Sequence, residues 1–368
     1  MRIVFVFVVM VHGLIHSLGF LKAFHFAELN QLKLAISKPI GILWLVTAIS
    51  FLFSVLLFMT NKNWWWMPSL LAILLSQTVI SFSWQDAKVG TIANIMILIV
   101  TLAGYGSWQF HQQANKEIQQ FLSEVSMEQT KYISEQELNS LPSIVQKWLH
   151  QTGIVGKEEM KTVYLKQRGQ MKLKTDQKEW YRAEAEQYVR IEEPGFIWKV
   201  DMKMLPFVHV AGKDRFQEGN GTMTMKIGSL IPVVNVAGNK KVDESSLQRY
   251  LLELPIYPSA ALQPYITWEE MDEKTAKATM TYKGISGSAI FHFNNQGELV
   301  KISALRYKDS DEKAKRMECI GEIQDYEIMN GIKIPAKIDI SWMLEEGKFT
   351  WYTLEIYDYQ YNLGKGDR

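Results

Sequence analysis

The chain has 368 residues, 47% hydrophobic and 21% charged, with a formal net charge of +1. That length suits two or three domains, and so even a charge balance gives no basic surface for nucleic acid. Cys319 is the sole cysteine, which excludes an internal disulfide and a cysteine-rich metal site.

The averages conceal a division near residue 107. Upstream of it, Arg2, Lys22, Lys33, Lys38, Lys62 and Lys88 face only Glu28 and Asp86. Four apolar runs fill this part, at roughly 3–21, 39–60, 64–84 and 89–108, each near the ~20 residues a helix needs to cross a bilayer. Arg2 ahead of the first run imitates a secretory signal. No small-x-small cleavage site follows and three further spans do, so a retained helix is expected. Trp64, Trp65, Trp66, Trp84 and Trp108 stand at span ends, where the indole favours the headgroup level. The first inter-span loop carries Lys22, Lys33 and Lys38 against Glu28, and the third carries Lys88. Positive-inside reasoning puts both loops in the cytoplasm and the C-terminal domain outside, although Arg2 and the terminal amine argue the reverse. The expected location is the cell membrane, as a multi-pass protein.

His12 and His16 lie four apart, on one face of the first span. Histidine ligates metals and haem, and intramembrane ionisable groups are often functional. The plainer alternative is an interhelical hydrogen bond to Ser17, Ser50, Gln77 or Asn94. The other spans add no His or Cys, so no metal site or cofactor is expected.

Residues 109–153 form a helical connector. Ile118, Phe121, Leu122 and Val125 continue a helix out of the fourth span. Ser134 and Glu137 have capping-box spacing, Pro142 suits the first turn of another helix, and Gly153 can end it. Ile144, Val145, Trp148 and Leu149 give that helix an apolar face, for the domain's entry or a membrane surface.

From about 154 to 363 the period becomes two. Phe196, Trp198, Val200 and Met202 alternate with Ile197, Lys199, Asp201 and Lys203, as a half-buried strand requires. Similar stretches recur at 161–172, 178–191, 208–217, 221–227, 266–272, 275–283, 286–294, 298–307, 317–328, 332–344 and 348–361. Asn294–Gly297, Asn330-Gly331 and Glu346-Gly347 are hairpin signals, and Gly219-Asn220-Gly221 is a tight turn. About ten strands in a meander must curl or close. One helix interrupts them at 243–254, started by Ser245 with Gln248 and stopped by Pro255. Leu247, Tyr250, Leu251 and Leu254 form its apolar face, which should pack on the sheet as a plug. Apolar residues 229–238 suit the same plug. The tail 364–368 should be disordered.

The expected fold is therefore an α-helical membrane domain of four transmembrane helices, residues 1–108, plus an α+β domain. The latter is a strongly curved antiparallel sheet, half-barrel or open barrel, with a helical plug.

No strong catalytic motif is present. His209 and Asp214, with Glu218 nearby, offer the minimum for acid–base work but sit in a plain strand pattern. Arg182, Glu184 and Glu186 share one strand face. Turned inward, Arg182 would need Glu253 or a ligand anion; turned outward, it is solvated. Trp198, Met202, Met204, Phe207, Met223, Met225, Tyr257, Tyr265 and Trp268 crowd the central region, and methionines with aromatics line cavities for irregular apolar ligands as well as ordinary cores. The candidate ligand-binding residues are Trp198, Met202, Met223, Met225, Tyr250, Glu253, Tyr257, Trp268 and Arg182; no catalytic residue is assigned.

Pro194-Gly195-Phe196-Ile197-Trp198, Gly212-Lys213-Asp214-Arg215, Arg249-Tyr250-Leu251-Leu252-Glu253 and Tyr257-Pro258-Ser259-Ala260-Ala261-Leu262 follow one another in an order that resembles a bacterial family of uncharacterised proteins. The likeness runs over most of 140–361, and some members carry a similar membrane-spanning head. It implies no activity. A looser likeness, to lipoprotein-carrier-like half-barrels, implies an acyl-chain-holding fold. Together these lead to a membrane-anchored binding protein for a lipid, acyl chain or other amphipathic ligand, in contact with membrane lipids. An envelope enzyme using Asp214, Glu218 or Glu253, and a structural or assembly module, are the alternatives.

Overall fold

The computed structural model describes residues 2–29, 32–127, 129–205 and 208–362. Phe207 and the tail 364–368 lie outside them. The chain divides into two compact units, one of residues 1–113 with 228–230, the other of 114–227 with the chain from 231 onward.

The first unit holds α1 (Arg2–Ala23), α2 (Lys38–Met59), α3 (Trp66–Phe82), the single turn α4 (Trp84–Ala87) and the start of α5 (Gly90–Ser123). Among the described residues three helices, α1, α2 and α5, are long and apolar enough to cross a membrane. The third apolar run folds as α3, which has only 17 residues. Ile3, Phe7, Ile49, Leu56 and Ile99 are exposed, as expected of helices that are apolar all round. Gly19 lets α1 and α2 approach closely, because a Cβ there would lie 2.2 Å from the Trp44 ring. The buried histidines join a polar seam. His12 Nε2 lies 2.9 Å from Asn94 Oδ1 of α5 and 3.3 Å from Ser76 Oγ of α3. His16 Nδ1 lies 2.8 Å from the His12 carbonyl. Ser17 and Ser50 bond carbonyls of their own helices instead.

The second unit is built on thirteen strands: β1 (Thr162–Met171), β2 (Tyr181–Arg190), β3 (Gly195–Leu205), β4 (Val208–Gln217), β5 (Asn220–Ile227), β6 (Ile231–Val236), β7 (Ile266–Asp272), β8 (Thr275–Tyr282), β9 (Ile285–Phe293), β10 (Leu299–Tyr307), β11 (Arg316–Met329), β12 (Ile332–Leu344) and β13 (Gly347–Tyr361). They pair antiparallel in the order β6-β5-β4-β3-β2-β1-β13-β12-β11-β10-β9-β8-β7, so the sheet is not closed. Two-residue turns join many neighbours. Asn330-Gly331 turns with φ of 51° and 79°, which only such residues adopt readily.

The helix expected at 243–254 is α8 (Lys240–Leu252), followed by 3-10 turns at Leu254–Ile256 and Pro258–Leu262. Its cap is Asn239, whose side chain accepts from the Lys241 and Val242 amides at 2.9 and 3.4 Å. Ser245, expected as the cap, lies one turn inside and donates to the Tyr307 carbonyl at 2.7 Å. Residues 229–238 do not join the plug. Their β-branched core, Ile231 to Val236, pairs with β5 as the edge strand β6.

One helix reveals how far the sheet curls. α8 touches β4 and β5 on one side and β8, β9 and β10 on the other. β5 and β9 stand nine places apart in the sheet order. At about 4.8 Å per strand, a flat sheet would hold them roughly 43 Å apart, whereas a helix is about 10–12 Å wide. The sheet therefore wraps around α8. The β4–β5 and β8–β9 turns meet as well, since a Cβ on Gly219 would come within 2.8 Å of Lys283 Cβ. Leu247, Tyr250, Leu251, Leu254 and Tyr257 are fully buried between helix and sheet.

The connector joins the same body. Ile118, Phe121 and Leu122 of α5 pack with Ile197 and Tyr188 on the outer side of the sheet. A capping box at Ser134 and Glu137 opens α6 (Glu135–Leu138). Gly153, at φ 74°, ends α7 (Ser143–Thr152). Val145, Trp148 and Leu149 face the core, which uses up the apolar face that a membrane surface would need.

Replacing Asn239 by Ala removes two caps of α8 and the Nδ2 bond to the Ser310 carbonyl. We expect a loss of about 1 kcal/mol, read by denaturant unfolding of the detergent-solubilised full chain followed by tryptophan fluorescence. An unchanged midpoint would contradict the cap.

Candidate functional site

Alternation decides which side chains enter the hollow of the sheet. In β3 the inward set is Phe196, Trp198, Val200 and Met202, all buried. In β4 it is Val210, Gly212 and Asp214, in β5 Met223 and Met225, in β10 Ile302 and Arg306, and in β11 Cys319, Gly321 and Ile323. With β12, β13 and α8 they enclose a cavity of about 320 Å³. Most of its wall is apolar. Leu173, Lys308 and Asp309 are exposed and mark its mouth.

A charged cluster interrupts the apolar wall. Arg249 of α8 bonds Asp214 Oδ2 through Nη1 at 2.7 Å and Glu253 Oε1 through Nε at 2.8 Å. Its guanidinium lies 4.7 Å from the Phe196 ring centre and 4.8 Å from that of Trp198, so it makes cation–π contacts with both rings as well. Gln187 Nε2 donates to the other Glu253 oxygen at 2.5 Å. Trp198 Nε1 donates to Gln167 Oε1 at 3.0 Å, and the Tyr352 hydroxyl reaches the same oxygen at 3.4 Å. Arg306 donates through Nε to Ser245 Oγ at 3.0 Å and lies over the Trp342 ring.

Burial pushes the Asp214 carboxyl above the ordinary aspartate value, against the pull of Arg249 and Arg306. Burial also lowers Arg306 from its ordinary value and raises the Cys319 thiol, although the two are neighbours. A thiol held protonated is a poor nucleophile. Among the described residues no three His, Cys, Asp or Glu side chains come together in a way that could hold a metal ion.

Five of the sequence candidates, Trp198, Met202, Met223, Met225 and Glu253, line this cavity together. Four stand elsewhere. Tyr250 and Tyr257 fill the packed side of the plug, where the Tyr257 hydroxyl donates to the Tyr250 carbonyl at 2.6 Å. The Tyr250 hydroxyl lies 3.0 Å from that of Tyr265, which donates to the Ile191 carbonyl. Trp268 packs on Phe291 and Trp148, and its indole donates to the Ala261 carbonyl at 3.0 Å. Arg182 is exposed on the outer face of β2, in a shallow open depression with Arg168 and Lys337. The inner face of β2 carries Ala183, Ala185 and Gln187, so Glu253 meets Gln187 rather than Arg182. His209 and Asp214 fall on opposite faces of β4, and Glu218 sits in the β4–β5 turn. Sequence reasoning missed Gln167, Arg306, Cys319 and Gly321. The available signals were an arginine at an inward position of β10 and a glycine inside β11.

Because the folded-state pKa of Asp214 is raised, its contribution favours the fold at low pH and fades as pH rises through that value. The wild type should therefore lose stability relative to Asp214→Asn as pH rises from about 4, the unfolded aspartate value. Paired denaturant titrations across that range test this; a difference moving the other way would mean that the ion pair with Arg249 outweighs burial.

No curated protein matches the chain. Residues 139–361, which span α7 and the whole sheet, match a family of unknown function, DUF6920, and the protein belongs to that family.

Proposed function

We propose that the protein is a membrane-anchored binding protein whose sheet domain holds an apolar or amphipathic ligand, such as a lipid or an acyl chain. The observation that carries this reading is the cavity of about 320 Å³ with its methionine, tryptophan and isoleucine wall. Its size lies at the lower end of small-ligand sites, which are mostly apolar with a few placed polar groups. Methionines suit a flexible chain because they repack around irregular shapes. The unclosed, curled sheet around a helix also supports kinship of form with lipoprotein carriers, as an analogy of fold.

An enzymatic reading has one observation in its favour, the buried Asp214 carboxyl with its raised pKa inside the cavity. That carboxyl is held by Arg249 at 2.7 Å, and the nearby thiol is protonated. Binding without turnover accounts for both.

For the membrane part, we propose four spans, with α3 as the short third one. The N-terminus and sheet domain then lie outside, on the positive-inside argument. Trp65 and Trp66 at the start of α3, and Trp84 just beyond its end, suit interfacial positions.

Gly321 allows a direct test of the cavity. A Cβ built there meets nothing within 4 Å, so Gly321→Phe should fill the hollow and leave the sheet intact. The full chain in amphipol should bind a dansyl-labelled fatty acid, and Gly321→Phe should weaken it at least about ten-fold, the ratio that about 1.4 kcal/mol gives. No binding by the wild type, or equal binding by both, would sink this reading. Topology is tested with Lys33→Cys and Glu345→Cys in a Cys319→Ala background. An impermeant maleimide should label Glu345→Cys in intact cells and spare Lys33→Cys. Labelling of both, or of neither, would favour three spans.

A further inference from the structure

Arg306 is a cation without a carboxylate. Both acids near it are already committed, since Asp214 and Glu253 each bond Arg249, at 2.7 and 2.8 Å. Among the described residues Arg306 forms no ion pair; its Nε donates to Ser245 Oγ, and the Cys319 thiol beside it is neutral. It is half-buried and lines the cavity. Its charge is balanced only at a distance, by Asp214 and Glu253, so a guanidinium here costs stability that an apolar residue of similar size would not. Its Nε is held by Ser245 and the guanidinium also meets the Cys319 thiol, which leaves N–H groups of its terminal nitrogens for a ligand. Those groups match the oxygens of a carboxylate.

We propose that the ligand is a long-chain carboxylate whose head pairs with the terminal nitrogens of Arg306 and whose chain lies along the wall of Trp198, Met202, Met223 and Met225. This rests on the binding reading above and adds the chemistry of the head. A single negative charge matches the single charge of Arg306, whereas a phosphate dianion would leave a second charge without a direct partner, since Arg249 is already bonded to Asp214 and Glu253.

The test uses the full chain in amphipol with radiolabelled hexadecanoate, hexadecanol and hexadecyl phosphate. Wild type should bind hexadecanoate at least about ten-fold more tightly than the other two, as a charged hydrogen-bonded pair allows. Arg306→Gln should lose that preference and still bind hexadecanol, which shows that its cavity is intact. Gly321→Phe should lose all three. Equal wild-type affinity for acid and alcohol, tighter binding of the phosphate, or a preference that survives in Arg306→Gln overturns the proposal. Should Arg306→Gln fail to fold, the wild-type preference decides alone. Wild type that binds none of the three contradicts instead the binding reading on which the proposal rests.

Discussion

The hold of one helix on two distant parts of a sheet governs this domain. On one side of α8, Asp243 accepts from the Gly221 amide at 2.7 Å and Arg249 reaches Asp214. On the other, Ser245 and Gln248 donate to the carbonyls of Tyr307 and Leu305. Twist alone makes so long a sheet curl, but its end strands are not bonded to each other, so the degree of curl is set by another source. Here the source is a helix clasped from both sides. Gly221 permits the approach, because a Cβ there would stand 2.6 Å from the Val242 carbonyl oxygen. The fully buried face of Leu247, Tyr250, Leu251 and Leu254 adds apolar stabilisation of about 1.5–3 kcal/mol per large side chain.

The cavity follows from that arrangement. A helix of about 10–12 Å width fills only part of the hollow, and the side chains of β3, β4, β5 and β10–β13 leave the rest open. Into this space the fold places charges. Arg249 is satisfied by two carboxylates and two aromatic faces, so it serves the clasp. Arg306 ties β10 to α8 through Ser245 and lies over Trp342, but among the described residues it has no carboxylate in direct contact. A buried pair is weak evidence for stability, and a half-buried cation with no carboxylate in direct contact is weaker still. The contrast between the two arginines is what directs attention to a ligand.

Much of the fold was legible in the sequence because strand alternation and turn chemistry are local signals. β4, β7 and β12 begin and end at the residues that the pattern predicts, and the capping box at Ser134 is present. Local signals also misled. Ser245 with Gln248 has the spacing of a cap, but Asn239 offers a better acceptor six residues earlier and the helix starts there. Apolar 231–236 could be plug or strand, and its β-branched residues found a partner in β5. The site was half legible. Trp198, Met202, Met223 and Met225 announce themselves by clustering in sequence. Arg306, Cys319 and Gly321 come from strands that reach the cavity only through the long-range order of the sheet, and alternation alone does not tell which face of a strand is the inner one. Arg182 illustrates the point, since a shift of one residue along β2 exchanges it for Ala183.

The most direct test of a filled hollow is native mass spectrometry of the full chain, purified in mild detergent from its own cells, with extraction of whatever remains bound. The wild type should carry one apolar or amphipathic molecule per chain, and Gly321→Phe, prepared alongside, should carry none. An empty wild-type chain, or a species retained equally by the filled variant, would contradict the view that α8 and the curled sheet exist to hold a ligand.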